Sequence, residues 1–220
     1  FIDQLSGLET AVLGQSVVTS HYIDNTVNYP IDYKFYFSKK SDYAKQEEFK
    51  SKIQLAIELI NNAIKNGFEG GFVMDSWFIC NEVVKEVDKH ERFIIGRIKS
   101  DRLVHTRIGL ISISEFAETL PKESWKEIEI NNTKYKIFTK VMKFQSLEKK
   151  VRVVISHMQG VKDPVFFITN QLGWDVKKII GTYSMRFKID NFYKDAKQNF
   201  GLEACQLRSL KGIKRHWYMV

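Results

Sequence analysis

Cysteine is almost absent from this chain. Cys80 and Cys205 are the only two in 220 residues, they lie far apart, and neither belongs to a metal-ligand spacing. A cysteine-built metal site is therefore excluded, and the pair reads as two buried thiols kept in a reducing compartment. The five histidines, His21, His90, His105, His157 and His216, also lack mutual metal-ligand spacing and read mostly as surface or polar-network residues. There is no signal peptide, no apolar run of membrane length, no internal repeat and no low-complexity tract. No membrane is implied, and a soluble, cytoplasmic protein is expected. Blocks of like charge are missing too, which excludes a charged disordered tail.

What is present is an ordinary folded composition with an excess of positive charge. A hydrophobic fraction of 44% and a charged fraction of 27% suit one domain with a sizeable core. The net charge of +8 favours a polyanionic partner, most simply nucleic acid. A basic protein from an AT-rich genome that binds nothing anionic has the same balance. The densest basic groups are Lys149–Arg152, Lys177–Lys178, and Arg208, Lys211, Lys214 and Arg215. Phe1 and the apolar stretch His216–Val220 read as cut ends, so a fragment is expected.

Patterning predicts an α/β order. Residues 9–23 read as a strand pair broken at Gly14-Gln15, and residues 29–37 as another strand. A helix is expected over 44–66, with Phe49, Ile53, Ile57, Ile60 and Ile64 as its apolar stripe and Asn66-Gly67 as its end. Glu69-Gly70-Gly71 is a turn, too short for a phosphate loop, into a buried strand Phe72-Val73-Met74 that runs to Asp75. A helix over 77–89 and a strand over 93–98 follow. Residues 103–169 alternate apolar and charged, with a hairpin turn at Asn131-Asn132, and read as a β-rich insertion. Residues 175–200 read as helical with a break near Gly181. Gly201 is a C-cap, and Leu202 to Tyr218 begins a last helix.

Chemistry concentrates in Tyr183-Ser-Met-Arg186-Phe-Lys-Ile-Asp190-Asn-Phe-Tyr-Lys-Asp-Ala-Lys197. On a continuous helix at roughly 100° per residue, Tyr183, Arg186, Asp190 and Lys197 share one arc while Met185, Ile189, Phe192, Ala196 and Phe200 share another face. An acid flanked by a phenol, a guanidinium and an ammonium suits a phosphodiester: the acid for a divalent ion, the cations for phosphates. A solvated helix face with an ordinary Arg186–Asp190 pair has the same pattern. Asp75, at the C-terminal end of an apolar strand, sits where α/β folds place ligands, and equally where a helix N-cap belongs.

These residues resemble the third catalytic motif of insertion-sequence transposases of the DDE superfamily: Tyr, two residues, Arg, three residues, an acid, six residues, Lys. The flanking Lys197-Gln-Asn-Phe-Gly-Leu202, Gln206, Arg208-Ser209 and Arg215-His216 resemble the stretch after that motif, and Asp75 on its strand resembles the second catalytic acid. Two departures stand out. The family has Glu where this chain has Asp190, one methylene shorter but still a hard oxygen ligand. No first catalytic Asp is evident either, since Asp3, Asp24 and Asp32 lack its Asp-Asp-Thr-like context, and it is expected upstream of Phe1.

The resemblance implies an RNase H-like fold over residues 1–220 lacking its first strand: a mixed sheet with flanking helices and the β-rich insertion, 103–169, before the last catalytic helix. It implies Asp75 and Asp190 as catalytic metal ligands for Mg²⁺ or Mn²⁺, as a pair of ions, and Tyr183, Arg186 and Lys197 as DNA-phosphate contacts. The partners are double-stranded DNA at the element's ends and at its target; a homodimer is one of the oligomeric states left open. A prokaryotic, nucleoid-associated location and an inactive isolated fragment are expected. Trp77, Trp125 and Trp174 are candidates for stacking on an unpaired base, although core packing is the commoner role of tryptophan. Alternative readings are an RNase H-like nuclease without strand transfer, a non-catalytic DNA-binding remnant of a transposase, and a plain basic structural protein.

Overall fold

A computed structural model describes residues 16–39, 48–130, 132–207 and 209–219. Residues 9–15, 44–47, Asn131 and Arg208, on which some of the expectations above fall, lie outside this set, as does Asp3. The chain divides into two compact units, one from the described parts of 1–67 and 191–220 and the other from 68–190.

The first unit holds an antiparallel hairpin, β1 (Ser16–Ile23) with β2 (Asn28–Tyr36), paired from Ser16↔Tyr36 to Ile23↔Asn28 with an irregularity at Ser20/His21. Asp24 builds the connecting turn by accepting from the backbone of Thr26 and Val27 at 2.7 Å each. Helix α1 (Lys52–Lys65) starts at a capping box. Ser51 accepts from Gln54 N at 3.2 Å, and the Gln54 side chain accepts from Ser51 N at 2.8 Å. Phe49 therefore precedes the helix. The buried residues are Leu55, Ala56, Leu59, Ile60 and Ala63, a stripe turned away from the expected one. Apolar residues occupy too much of this helix's circumference for periodicity alone to choose its inner face. Asn66 and Gly67, at φ +80°, end it as expected.

The second unit is built on a six-stranded mixed sheet in the order β3-β4-β10-β9-β8-β7. Strand β3 (Phe72–Met74) pairs parallel with β4 (Ile94–Ile98), and the remaining pairs, β10 (Val165–Thr169), β9 (Val151–Met158), β8 (Thr133–Met142) and β7 (Lys126–Ile130), are antiparallel. A separate hairpin joins β5 (Leu103–Thr106) to β6 (Gly109–Ser112). Residues 103–169 are β-rich, but a short helix, α3 (Ile113–Glu118), interrupts them behind a second capping box, Ser112 with Glu115.

Helices flank this sheet. Helix α4 (Val176–Ser184) lays Ile179 on a core of Ile95, Ile137, Val154 and Phe167. On the opposite face Gly96 receives Ile79, which leads into α2 (Asn81–Lys89). The architecture is the mixed α/β fold with flanking helices that the patterning implied. The expected break near Gly181 lies instead at Met185-Arg186, between α4 and α5 (Phe187–Asn199). There Arg186 N donates to Tyr183 O at 3.0 Å and Ile189 N to Arg186 O at 2.9 Å, bonds of tightened three-residue pitch. Gly201, at φ +69°, follows the end of α5, with Leu202 N donating to Ala196 O, as a C-cap should. The last helix, α6, covers Leu210–Met219 and so begins later than Leu202.

Candidate active site

Four of the sequence-predicted site residues, Asp75, Tyr183, Arg186 and Asp190, belong to the second unit, and the fifth, Lys197, to the first. Asp75 follows directly on β3. The β3–β4 register runs Val73↔Ile95 and Met74↔Gly96, so one further step sets Asp75 level with Arg97, on the sheet face that carries α4. Its Oδ1 accepts from Ser76 N at 2.6 Å and caps a 3-10 turn, Ser76–Phe78. The capping role is therefore real, and the carboxylate is still exposed.

Tyr183 ends α4 with its ring edge-on to Phe167, centroids 5.0 Å apart. Burial pushes its phenol above the ordinary range, against the pull of Arg186 and Arg97, so it keeps its proton and can donate to an anionic oxygen. Arg186 occupies the break between α4 and α5, where the continuous-helix wheel no longer holds. Its guanidinium carbon lies 5.9 Å from the Tyr183 ring centroid, and its Nη2 donates to Asp190 Oδ2 at 3.1 Å. Burial works to lower its pKa, but Tyr183, Asp190 and Asp75 outweigh that, and the net shift is upward. Its Nε is buried without a hydrogen-bond partner among the described residues. A buried guanidinium N–H left unpaired is costly, and an anionic oxygen delivered by a ligand would satisfy it.

Asp190 stands in the first turn of α5, where the helix dipole favours a carboxylate. Lys197, two turns further along, pairs with Glu203. Sequence reasoning missed Arg97. The signal was available in the alternation of Ile-Ile-Gly-Arg-Ile, which puts one cation at a polar position of an otherwise buried strand.

Among the described residues no group of three His, Cys, Asp or Glu gathers to hold a metal. Asp75 and Asp190 offer hard oxygens, and both act electrostatically on Arg186. Mg²⁺ is commonly held by one or two protein carboxylates plus water and substrate phosphate, so this donor set fits such an ion. Asp24 and Asp32, which lacked the first-acid context, have structural roles: Asp24 in its turn, held down to about 2 by the Val27 and Thr26 amides, and Asp32 accepting from Asn62 Nδ2 at 3.0 Å. Cys80 and Cys205 are half-buried, not fully buried as expected.

An acid at a strand end, a second at a helix start, and a protonated phenol and a guanidinium near them are chemically suited to a phosphate ester. Residues 41–220 match the family described as the Transposase DDE domain, and the chain belongs to that family. No curated protein matches it. Membership makes the function transposase-type, with DNA as substrate, nuclease and transposition chemistry in general, and divalent metals in general use. No helix among the described residues is long and apolar enough to cross a membrane.

Proposed function

We propose that this chain is catalytic-domain sequence of a DNA transposase that hydrolyses phosphodiesters at transposon ends and transfers the freed strands, with Asp75 and Asp190 as metal ligands. The observation that carries this reading is the set of partners around Arg186: Tyr183, Asp190 and Asp75 all act on one guanidinium whose Nε has no partner. Two Mg²⁺ or Mn²⁺ ions, when bound, would supply Lewis acidity and a nucleophilic water or DNA 3′-hydroxyl at neutral pH.

The chain's own residues would do the rest. Arg186 holds a non-bridging phosphate oxygen, and Tyr183 donates its hydroxyl to the same group. Lys197 opens its pair with Glu203 to hold a strand end by its phosphate. On this reading residues 1–220 belong to one RNase H-like catalytic domain, and 103–169 form an insertion in it. The return of β10 to pair beside β4, Phe166↔Ile98, is what an insertion leaving and re-entering one sheet would produce.

The test is cleavage of end-containing DNA by the protein from its full reading frame, beside Asp75→Asn and Asp190→Asn. The parent should cut only with Mg²⁺ or Mn²⁺. Each variant should bind DNA and lose cleavage by on the order of a hundredfold or more, since even outer-shell changes at metal sites cost 10- to 100-fold. Binding without cutting by the parent would make the chain a non-catalytic DNA-binding remnant, and cutting that survives both changes would move the active site elsewhere.

A further inference from the structure

Arg186 has two uses for its guanidinium and serves one of them poorly. Its Nη2 donates to Asp190 Oδ2 at 3.1 Å, while its Nε lies buried without a hydrogen-bond partner among the described residues. An arginine binds an anion best through its planar fork, with two parallel N–H donors on one carboxylate or phosphate. Here one prong of that fork holds Asp190 and another is idle. The pair is therefore not the arrangement that satisfies this side chain.

The same contact burdens Asp190. Its side chain is 48% exposed, against 26% for Arg186, so an ion in solution can reach the carboxylate. A divalent ion at Oδ2 would nevertheless stand beside a positive charge already bound there, and like charges at such a separation repel strongly. Asp75 acts electrostatically on the same guanidinium, so both acids of the site share this one counter-charge. The backbone around Arg186 is held: its N donates to Tyr183 O at 3.0 Å and its O accepts from Ile189 N at 2.9 Å. Exchanging Asp190 for another anion thus needs only the side chain to move.

We propose that Arg186 is the counter-ion that occupies Asp190 in the DNA-free protein, and that a strand phosphate draws the guanidinium away and so frees Asp190 to take a divalent ion. The phosphate engages Nε and a terminal N–H together, and Asp190 Oδ2 is released only once substrate is in place. DNA and ion each favour the other, because both bind the opened pair. The inference deepens the transposase reading and rests on Asp190 as a metal ligand.

Titration of the protein from its full reading frame with Mn²⁺ in the absence of DNA, followed by the electron-paramagnetic signal of the free ion, tests the proposal. Arg186→Gln should tighten Mn²⁺ binding by about tenfold. Arg186→Lys, which keeps a positive charge beside Asp190, should stay within about twofold of the parent, and Asp190→Asn added to Arg186→Gln should remove the gain. Equal Mn²⁺ affinity in the parent and Arg186→Gln overturns the proposal, and so does a gain that survives Asp190→Asn. At fixed ionic strength, Ca²⁺ should tighten binding of end-containing duplex more in the parent than in Arg186→Gln, and equal tightening overturns the release by phosphate. No bond is cut in these titrations, so their failure leaves the Asp75→Asn and Asp190→Asn cleavage test standing, and a parent that never cuts leaves the Mn²⁺ result unaffected.

Discussion

His21 on β1 shows how one side chain can couple this fold to pH. Among the described residues both its ring nitrogens are buried without hydrogen-bond partners, and its ring meets Phe192 at 4.9 Å and Tyr193 at 5.6 Å between centroids. His216, whose Nε2 is also buried without a partner among the described residues, departs with it from the expected surface histidines. Burial lowers the His21 pKa from 6.5 to about 4. Between those values the unfolded chain binds a proton that the folded chain does not, so stability rises with pH there. The contribution is complete above pH 6.5 and is lost as pH falls toward 4. Urea titrations at pH 7.5 and 4.5 should show the parent losing ~2 kcal/mol more than His21→Phe, a figure reduced from the full 1.36 kcal/mol per unit because the ring is only partly buried. Equal losses in both proteins would dismiss His21 as the source. At the same scale, the Tyr183, Arg186 and Asp190 grouping was legible from spacing, while alternation marked Arg97 only as a polar strand position and strand pairing alone brings it level with Asp75.

Among the elements, the junction of β4 with the turn after β3 is the most exacting. A Cβ at Gly96 would run into Ile79 Cδ1 and stand 3.2 Å from Met74 O. Gly96→Ala should therefore cost ~1–3 kcal/mol as an overpacked core site. Ile79→Val in the same chain should recover part of this, and denaturant midpoints of the single and double variants measure the coupling. Additive effects would show that the two residues do not compete for space. Element types were largely readable: β2, β3, α2 and β4 fall close to where patterning put them, and residues 103–169 are β-rich as expected. The capping boxes Ser51-x-x-Gln54 and Ser112-x-x-Glu115 were readable signals of helix starts, yet the apolar run reaching back to Phe49 masked the first, and the alternation around residue 112 masked α3. The break at Met185-Arg186 carries neither Gly nor Pro, so composition had nothing to mark it.

For the molecule as a whole, the surplus of eight positive charges and membership of a transposase family point to DNA binding that is largely electrostatic. Duplex affinity should fall linearly with salt on logarithmic axes. Arg186→Gln should make that slope shallower by about one, because on the proposed reading it removes one phosphate contact. An unchanged slope would leave Arg186 as the ordinary helix partner of Asp190 that its 3.1 Å contact also permits.

By itself the sequence determined the alternation of strands and helices, the acid after a short apolar strand (expected buried, and half-buried in the fold), and the four-residue motif whose spacing resembles the family that residues 41–220 match. Those are properties of near neighbours along the chain, set by side-chain period and by residue type at fixed intervals. Only the tertiary structure decided that β10 returns to lie against β4, that Arg97 stands level with Asp75, and that Trp77 remains in water while Trp174 packs on the core. Each depends on which distant strand pairs with which, and on the register of that pairing, where one residue's slip would turn every side chain to the other face.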